Sequence, residues 1–147
     1  MMKKLRILAF AAAMLSIFPS SGFTQQSQFA SNYATTATLC VNGRGGAESK
    51  TTCFQSLLPL LSNVRSVTEG AQYDTEIGAI ALAFVNTYVS LSSPTLSACA
   101  VIADALAEIG QSATDPDQAE QIIAIAARVR ACSSFNGGIE RLLASPN

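Results

Sequence analysis

Apolar side chains recur at three- and four-residue steps in four stretches of the chain, and polar residues, prolines and glycines break the rhythm between them. The first stretch predicts a helix from about Thr52 to Val67, with Phe54, Leu57, Leu58, Leu61 and Val64 on one face and Pro59 inside as a bend or interruption. A second helix is expected after Asp74, read as its cap, with Glu76 in the first turn where the helix dipole favours an anion. Its stripe is Ile77, Ile80, Ala81, Phe84, Val85 and Tyr88. A third opens with Ser93 as cap and Pro94 in the first turn, buries Leu96, Cys99, Ile102, Ala103 and Leu106, and ends at Gly110. The fourth has Asp115 as cap, Pro116 at its first position, Asp117 in its first turn and Gln118 at the reciprocal capping position. It turns Ile122, Ile125, Ala126 and Val129 inward and is expected to stop near Gly137 and Gly138, with a last turn from Ile139 to Leu143 packing back. Short connections make neighbouring helices antiparallel, so the expected architecture is all-α, an up-down four-helix bundle. No strand pattern competes.

Ahead of these helices the pattern changes twice. Lys3, Lys4 and Arg6 precede an apolar run from Ile7 to Phe18 and a small, polar exit ending at Gly22, the layout of a bacterial secretory signal peptide. The apolar run is well short of the roughly 20 residues that span a bilayer, so no stable membrane anchor is expected after processing. Cleavage is placed after Gly22, with the Thr24 to Gln26 region as the alternative. From Phe23 to Leu39 polar residues dominate and Phe29, Tyr33 and Leu39 stand apart; Gly43, Gly45 and Gly46 follow. This part reads as a flexible polar and glycine-rich arm, giving a division into residues 1–22, 23–50 and a helical domain at 51–147.

Removing the signal peptide takes the basic count from 9 to 6 against 10 acidic residues, a net charge of −4. With Lys50 as its single remaining lysine, the mature chain lacks the dense cationic face that a phosphate backbone requires, and nucleic acid is excluded as a partner.

The four cysteines fall on the bundle in an informative way. Cys53 starts the first predicted helix, Cys99 is near the start of the third and Cys132 is at the end of the fourth, three points at one end of an up-down bundle, which Cys40 can also reach. Three connectivities are open. The preferred one is Cys40–Cys53, closing a short loop, with Cys99–Cys132 tying adjacent helices. A zinc site is disfavoured because there is no Cys-x-x-Cys pair and no His.

The absence of His also removes the commonest general base and the usual partner of a Ser or Cys nucleophile. Ser49 beside Lys50 is read as chance adjacency. Asp104 and Glu108 lie one turn apart, but on the solvent side of their helix; Asp115, Asp117 and Glu120 are explained by capping; Arg128 and Arg130 are read as ordinary surface pairs. No catalytic residue, metal site or cofactor is assigned. From Ile77 to Ala103 there is no charged side chain across 27 residues. Asn86-Thr87 and Ser92-Ser93-Pro94 divide that stretch, so it reads as two well-buried helices and not as a membrane hairpin.

These features lead to an exported, non-enzymatic binding protein, an adapter, inhibitor or chaperone-like module, that offers an acidic helical surface to a protein partner in the periplasm or the medium. A second reading is a carrier holding a small apolar ligand in a groove lined by Ile80, Phe84, Ile102 and Leu106. The third, an enzyme, requires a carboxylate or Tyr arrangement converging in a cleft.

Overall fold

A computed structural model describes residues 22–42 and 47–135. Residues 1–21 of the expected signal peptide, Gly43 to Gly46 and the expected last turn from Ile139 to Leu143 lie outside the described residues. Five helices follow one another: α1 (Gly22–Asn42), α2 (Ala47–Val67), α3 (Gly70–Val89), α4 (Leu96–Ser112) and α5 (Pro116–Arg130). They pack as an all-α bundle, and both disulfides, Cys40–Cys53 and Cys99–Cys132, are formed as their spacing suggested. The described part of the segment read as an arm departs from expectation. It is a helix, α1, which packs on α3 and α2 and buries Tyr33, Thr36, Ala37 and Cys40. Those four follow a helical stripe, but one made of a tyrosine, a threonine, an alanine and a disulfide cysteine, without the large aliphatic side chains that mark the other helices.

Several helix boundaries differ from expectation, the α3 start among them because Asp74, its expected cap, serves another element. α2 starts at Ala47, ahead of the expected Thr52, and runs unbroken through Pro59, whose side chain is exposed. The two residues Thr68 and Glu69 then turn the chain into α3, which begins at Gly70 with a left-handed φ of 54°, a conformation that suits glycine. Asp74 therefore lies inside α3 and does not cap it. Its carboxylate accepts from the backbone N–H of Thr114 (2.7 Å), the Thr114 hydroxyl (2.5 Å) and the N–H of Asp115 (3.3 Å), holding the entry to α5 from across the fold.

At α4 the cap is Thr95 in place of Ser93, its hydroxyl oxygen accepting from Ala98 N–H at 3.1 Å. Leu96, expected inside, is the first residue of α4 and is 80% exposed. Gly110 does not end α4. A Cβ there would stand 3.0 Å from Ile123 Cγ1 and 3.2 Å from the Ala119 carbonyl oxygen, so glycine is what lets α4 and α5 approach. Asp115 does cap α5, accepting from the N–H groups of Asp117 and Gln118. Gln118 is used otherwise than expected: it is 3% exposed and donates from Nε2 to the Asp74 carbonyl at 2.9 Å. α5 ends at Arg130, short of the glycine pair.

Tertiary pairings fix the directions. Tyr73 at the start of α3 donates to the carbonyl of Ser112 at the end of α4, and Tyr88 at the end of α3 donates to that of Ser133, so α3 is antiparallel to α4 and parallel to α5. Asp104 pairs with Lys50 at 2.7 Å and with Arg130, joining the start of α2, the first half of α4 and the end of α5. The core runs through Leu57, Ile77, Phe84, Ile102, Ile109 and Ile122, all fully buried.

Candidate functional site

α1 crosses α3 over a run of small side chains, and that crossing leaves a cleft of about 290 Å³. Ala79, Ala83 and Leu82 of α3 and Ala30 of α1 form its walls, Thr75 and Asn86 stand at its edges, and Tyr33 and Glu76 supply its polar floor. The Tyr33 hydroxyl donates to Glu76 Oε2 at 2.6 Å. Both residues are deeply covered, Tyr33 to 3% and Glu76 to 9% exposure. Burial first, and then the adjoining carboxylate, push the Tyr33 hydroxyl well above the usual phenol range. It stays protonated and acts as a donor.

The electrostatics of Glu76 are incomplete within the described residues. Glutamates are almost never covered to this degree unless a cation accompanies them. Among the described residues the ion pairs are Lys50–Asp104 and Arg130–Asp104, and neither reaches Glu76. Oε2 accepts from Tyr33, Glu76 lines the cleft, and among the described residues no ion pair reaches Oε1. A carboxylate so placed can hold a cation, or accept a hydrogen bond from one, in a mainly apolar cleft.

Two other surface depressions lack this feature. The larger, about 640 Å³, runs along α2 beside Phe54, Leu58 and Pro59, and its charged residue, Lys50, is already engaged by Asp104. The other, about 280 Å³, lies by Cys132 between Tyr88, Leu91, Pro94 and Phe135. There the Tyr88 hydroxyl is satisfied by Ser133 and Arg128 stacks over the Phe135 ring at 4.6 Å.

The residues singled out from the sequence are placed as follows. Ile80, Phe84, Ile102 and Leu106 come together, but as fully buried members of the core, and none of them lines these three depressions. A ligand among them would have to displace that packing. Asp104 and Glu108 are each half-buried on α4; Asp104 is held below the usual carboxylate range because Lys50 and Arg130 outweigh the upward push of its partial burial. Asp115 is spent on its cap. Among the described residues no three His, Cys, Asp or Glu side chains gather as a metal site would need.

Tyr33 and Glu76 were absent from the sequence reading as a site. Glu76 had a sufficient explanation as a first-turn acid, and Tyr33 lay in the presumed arm. The signal available in the sequence was that Glu76 is the last charge before the 27-residue uncharged stretch, hence at the edge of a buried surface.

The two disulfides fit an oxidising compartment, and among the described residues no helix is long and apolar enough to cross a membrane. In comparisons with known proteins, no family model, curated protein or solved structure matches this chain.

Proposed function

We propose that this chain is an exported, non-enzymatic binding protein of the periplasm or the medium that engages a protein partner through its acidic helical surface, with the α1–α3 cleft as the contact point. The observation that carries the reading is Glu76, a nine-tenths covered carboxylate with no cation on it among the described residues, opening into a cleft. A partner's positive group would complete it. The net charge of −4 after loss of the leader points the same way, since it draws cationic partners at long range. The leader itself accounts for the disulfides, which form where export delivers the chain.

The same pair motivates a second reading, because a carboxylate and a tyrosine in one cleft are what an enzyme of this composition would have to use. Tyr33, held protonated, would serve as a hydrogen-bond donor and Glu76 as a base. That reading needs an activity that Glu76→Gln abolishes while binding survives.

The test of the binding function is a photocrosslinking residue at Asn86, on the cleft's edge, in the full chain expressed in the cells that produce it, with Ala124 on the exposed face of α5 as control. The expected result is one discrete protein adduct at Asn86, joined through a basic segment of the partner, and none at Ala124. Equal adducts at both positions, or none at either, would remove the proposal. Amino-terminal sequencing of the same material is expected to begin at Phe23.

A further inference from the structure

Which cation the cleft accepts follows from how its carboxylate is already used. Resting on the binding function above, we infer that the α1–α3 cleft is a receptor for a single lysine side chain of the partner, and that it selects lysine over arginine.

Three observations carry this. The first is size: about 290 Å³ is at the bottom of the roughly 300–1,000 Å³ range of sites that enclose a whole small molecule, and suits one long side chain. The second is the wall chemistry. Ala30, Ala79, Leu82 and Ala83 give the cleft an apolar lining beside Glu76 that matches an unbranched alkyl stem. The third decides between the two basic residues. Arginine recognises a carboxylate best with two parallel N–H donors on both oxygens, and Tyr33 already donates to Oε2 at 2.6 Å. What is left is a single oxygen, Oε1. A compact ammonium with three rotatable donors can use one oxygen fully; a planar guanidinium cannot use its fork. Tyr33 is therefore the specificity-determining residue and Glu76 the charge.

The experiment is a titration of the mature, disulfide-bonded protein by two-dimensional NMR with four short neutral-ended peptides, each Gly-Xaa-Gly with Xaa lysine, arginine, ε-acetyl-lysine or norleucine. Lysine is expected to shift the Ala30, Ala79 and Ala83 signals at millimolar concentration, with arginine about tenfold weaker, the factor for losing one good charge-assisted contact. Acetyl-lysine and norleucine are expected to leave those signals in place. In Glu76→Gln the lysine shifts should vanish. In Tyr33→Phe, which frees both oxygens, arginine should rise to equal or exceed lysine while lysine still binds. Norleucine binding as well as lysine, or arginine already preferred in the parent protein, would overturn the inference while leaving a binding cleft intact. No response at the cleft to any peptide, together with no adduct at Asn86, would remove both readings.

Discussion

Asp74 is the residue whose replacement separates this fold from a bundle held by apolar packing alone. Its carboxylate is nearly covered and takes two N–H groups and one hydroxyl from the Thr114–Asp115 turn, so it fixes the three-residue connection between α4 and α5. In Asp74→Ala all three acceptor contacts go. A hydrogen bond to a charged group contributes about 1.5–3 kcal/mol, but the turn is partly open and its freed donors can reach water, so the expected loss is about 3 kcal/mol and not the full sum. Asp74→Asn keeps the shape and one accepting oxygen and can offer its NH₂ to the Thr114 hydroxyl, so about 1–1.5 kcal/mol is expected. Thr114→Val removes the hydroxyl alone, about 1 kcal/mol, and should be non-additive with Asp74→Asn because the two share a bond.

The pH dependence supplies the sharper check. Burial raises the Asp74 carboxyl, but the Thr114 hydroxyl and the two backbone N–H groups outweigh it and hold the group below its ordinary value. A folded-state value below the unfolded one of about 3.9 means that the ionised form stabilises the fold above about pH 4 and that this is lost as pH falls through the folded value. Urea denaturation followed by circular dichroism at neutral pH and again near pH 2.5 should show the gap between parent and Asp74→Asn narrowing in acid. A gap unchanged between the two pH values, or an Asp74→Ala cost under about 0.5 kcal/mol, would refute the role given to this carboxylate.

Tyr33 gives the opposite sign: its hydroxyl is raised in the fold, so its contribution is intact below about pH 10 and lost as pH climbs beyond, and Tyr33→Phe should flatten the alkaline fall of the urea midpoint. An identical fall in both proteins would show that another group is responsible. Removing Cys99–Cys132, which spans 33 residues, should cost more than removing Cys40–Cys53, which spans 13: about 3.7 against about 2.9 kcal/mol from loop closure. Paired Cys→Ala variants compared by urea midpoint check that order, and the reverse order would contradict it. Gly110→Ala sets a helix-propensity gain of up to about 1 kcal/mol against overpacking of about 1–3 kcal/mol at the Ala119 carbonyl, and a net loss of about 1 kcal/mol is expected. A rise in thermal midpoint would mean that α5 shifts more easily than its close approach implies.

Four of the helices, α2 to α5, were legible because their buried faces are written in leucine, isoleucine, valine and phenylalanine. The bundle topology gathers the four cysteines at one end and leaves three connectivities open; the preferred one, Cys40–Cys53 with Cys99–Cys132, is the one formed. α1 was not legible because its covered face carries Tyr33, Thr36, Ala37 and Cys40 while Leu39, its most obvious hydrophobe, stays 39% exposed. Two of the displaced capping residues share one cause. Asp74 and Gln118 are good local capping residues that tertiary contacts recruit to other elements, and nothing within a few residues of either position reports the Thr114 turn.

The candidate site went unread for a reason that follows from the missing helix. On α3 taken alone, Glu76 is an ordinary acid in an early turn; it becomes a covered carboxylate only when α1 lies across it, and only then does it acquire the Tyr33 hydroxyl. The uncharged stretch from Ile77 to Ala103 is bracketed by Glu76 and Asp104, the two carboxylates at the margins of the central helices. Asp104 meets both Lys50 and Arg130, and its charge is answered within the molecule. Glu76 meets a phenol. Equivalent positions in sequence thus carry unequal electrostatic states in the fold, and the difference is what directs a search for an external cation to one margin of the bundle and away from the other.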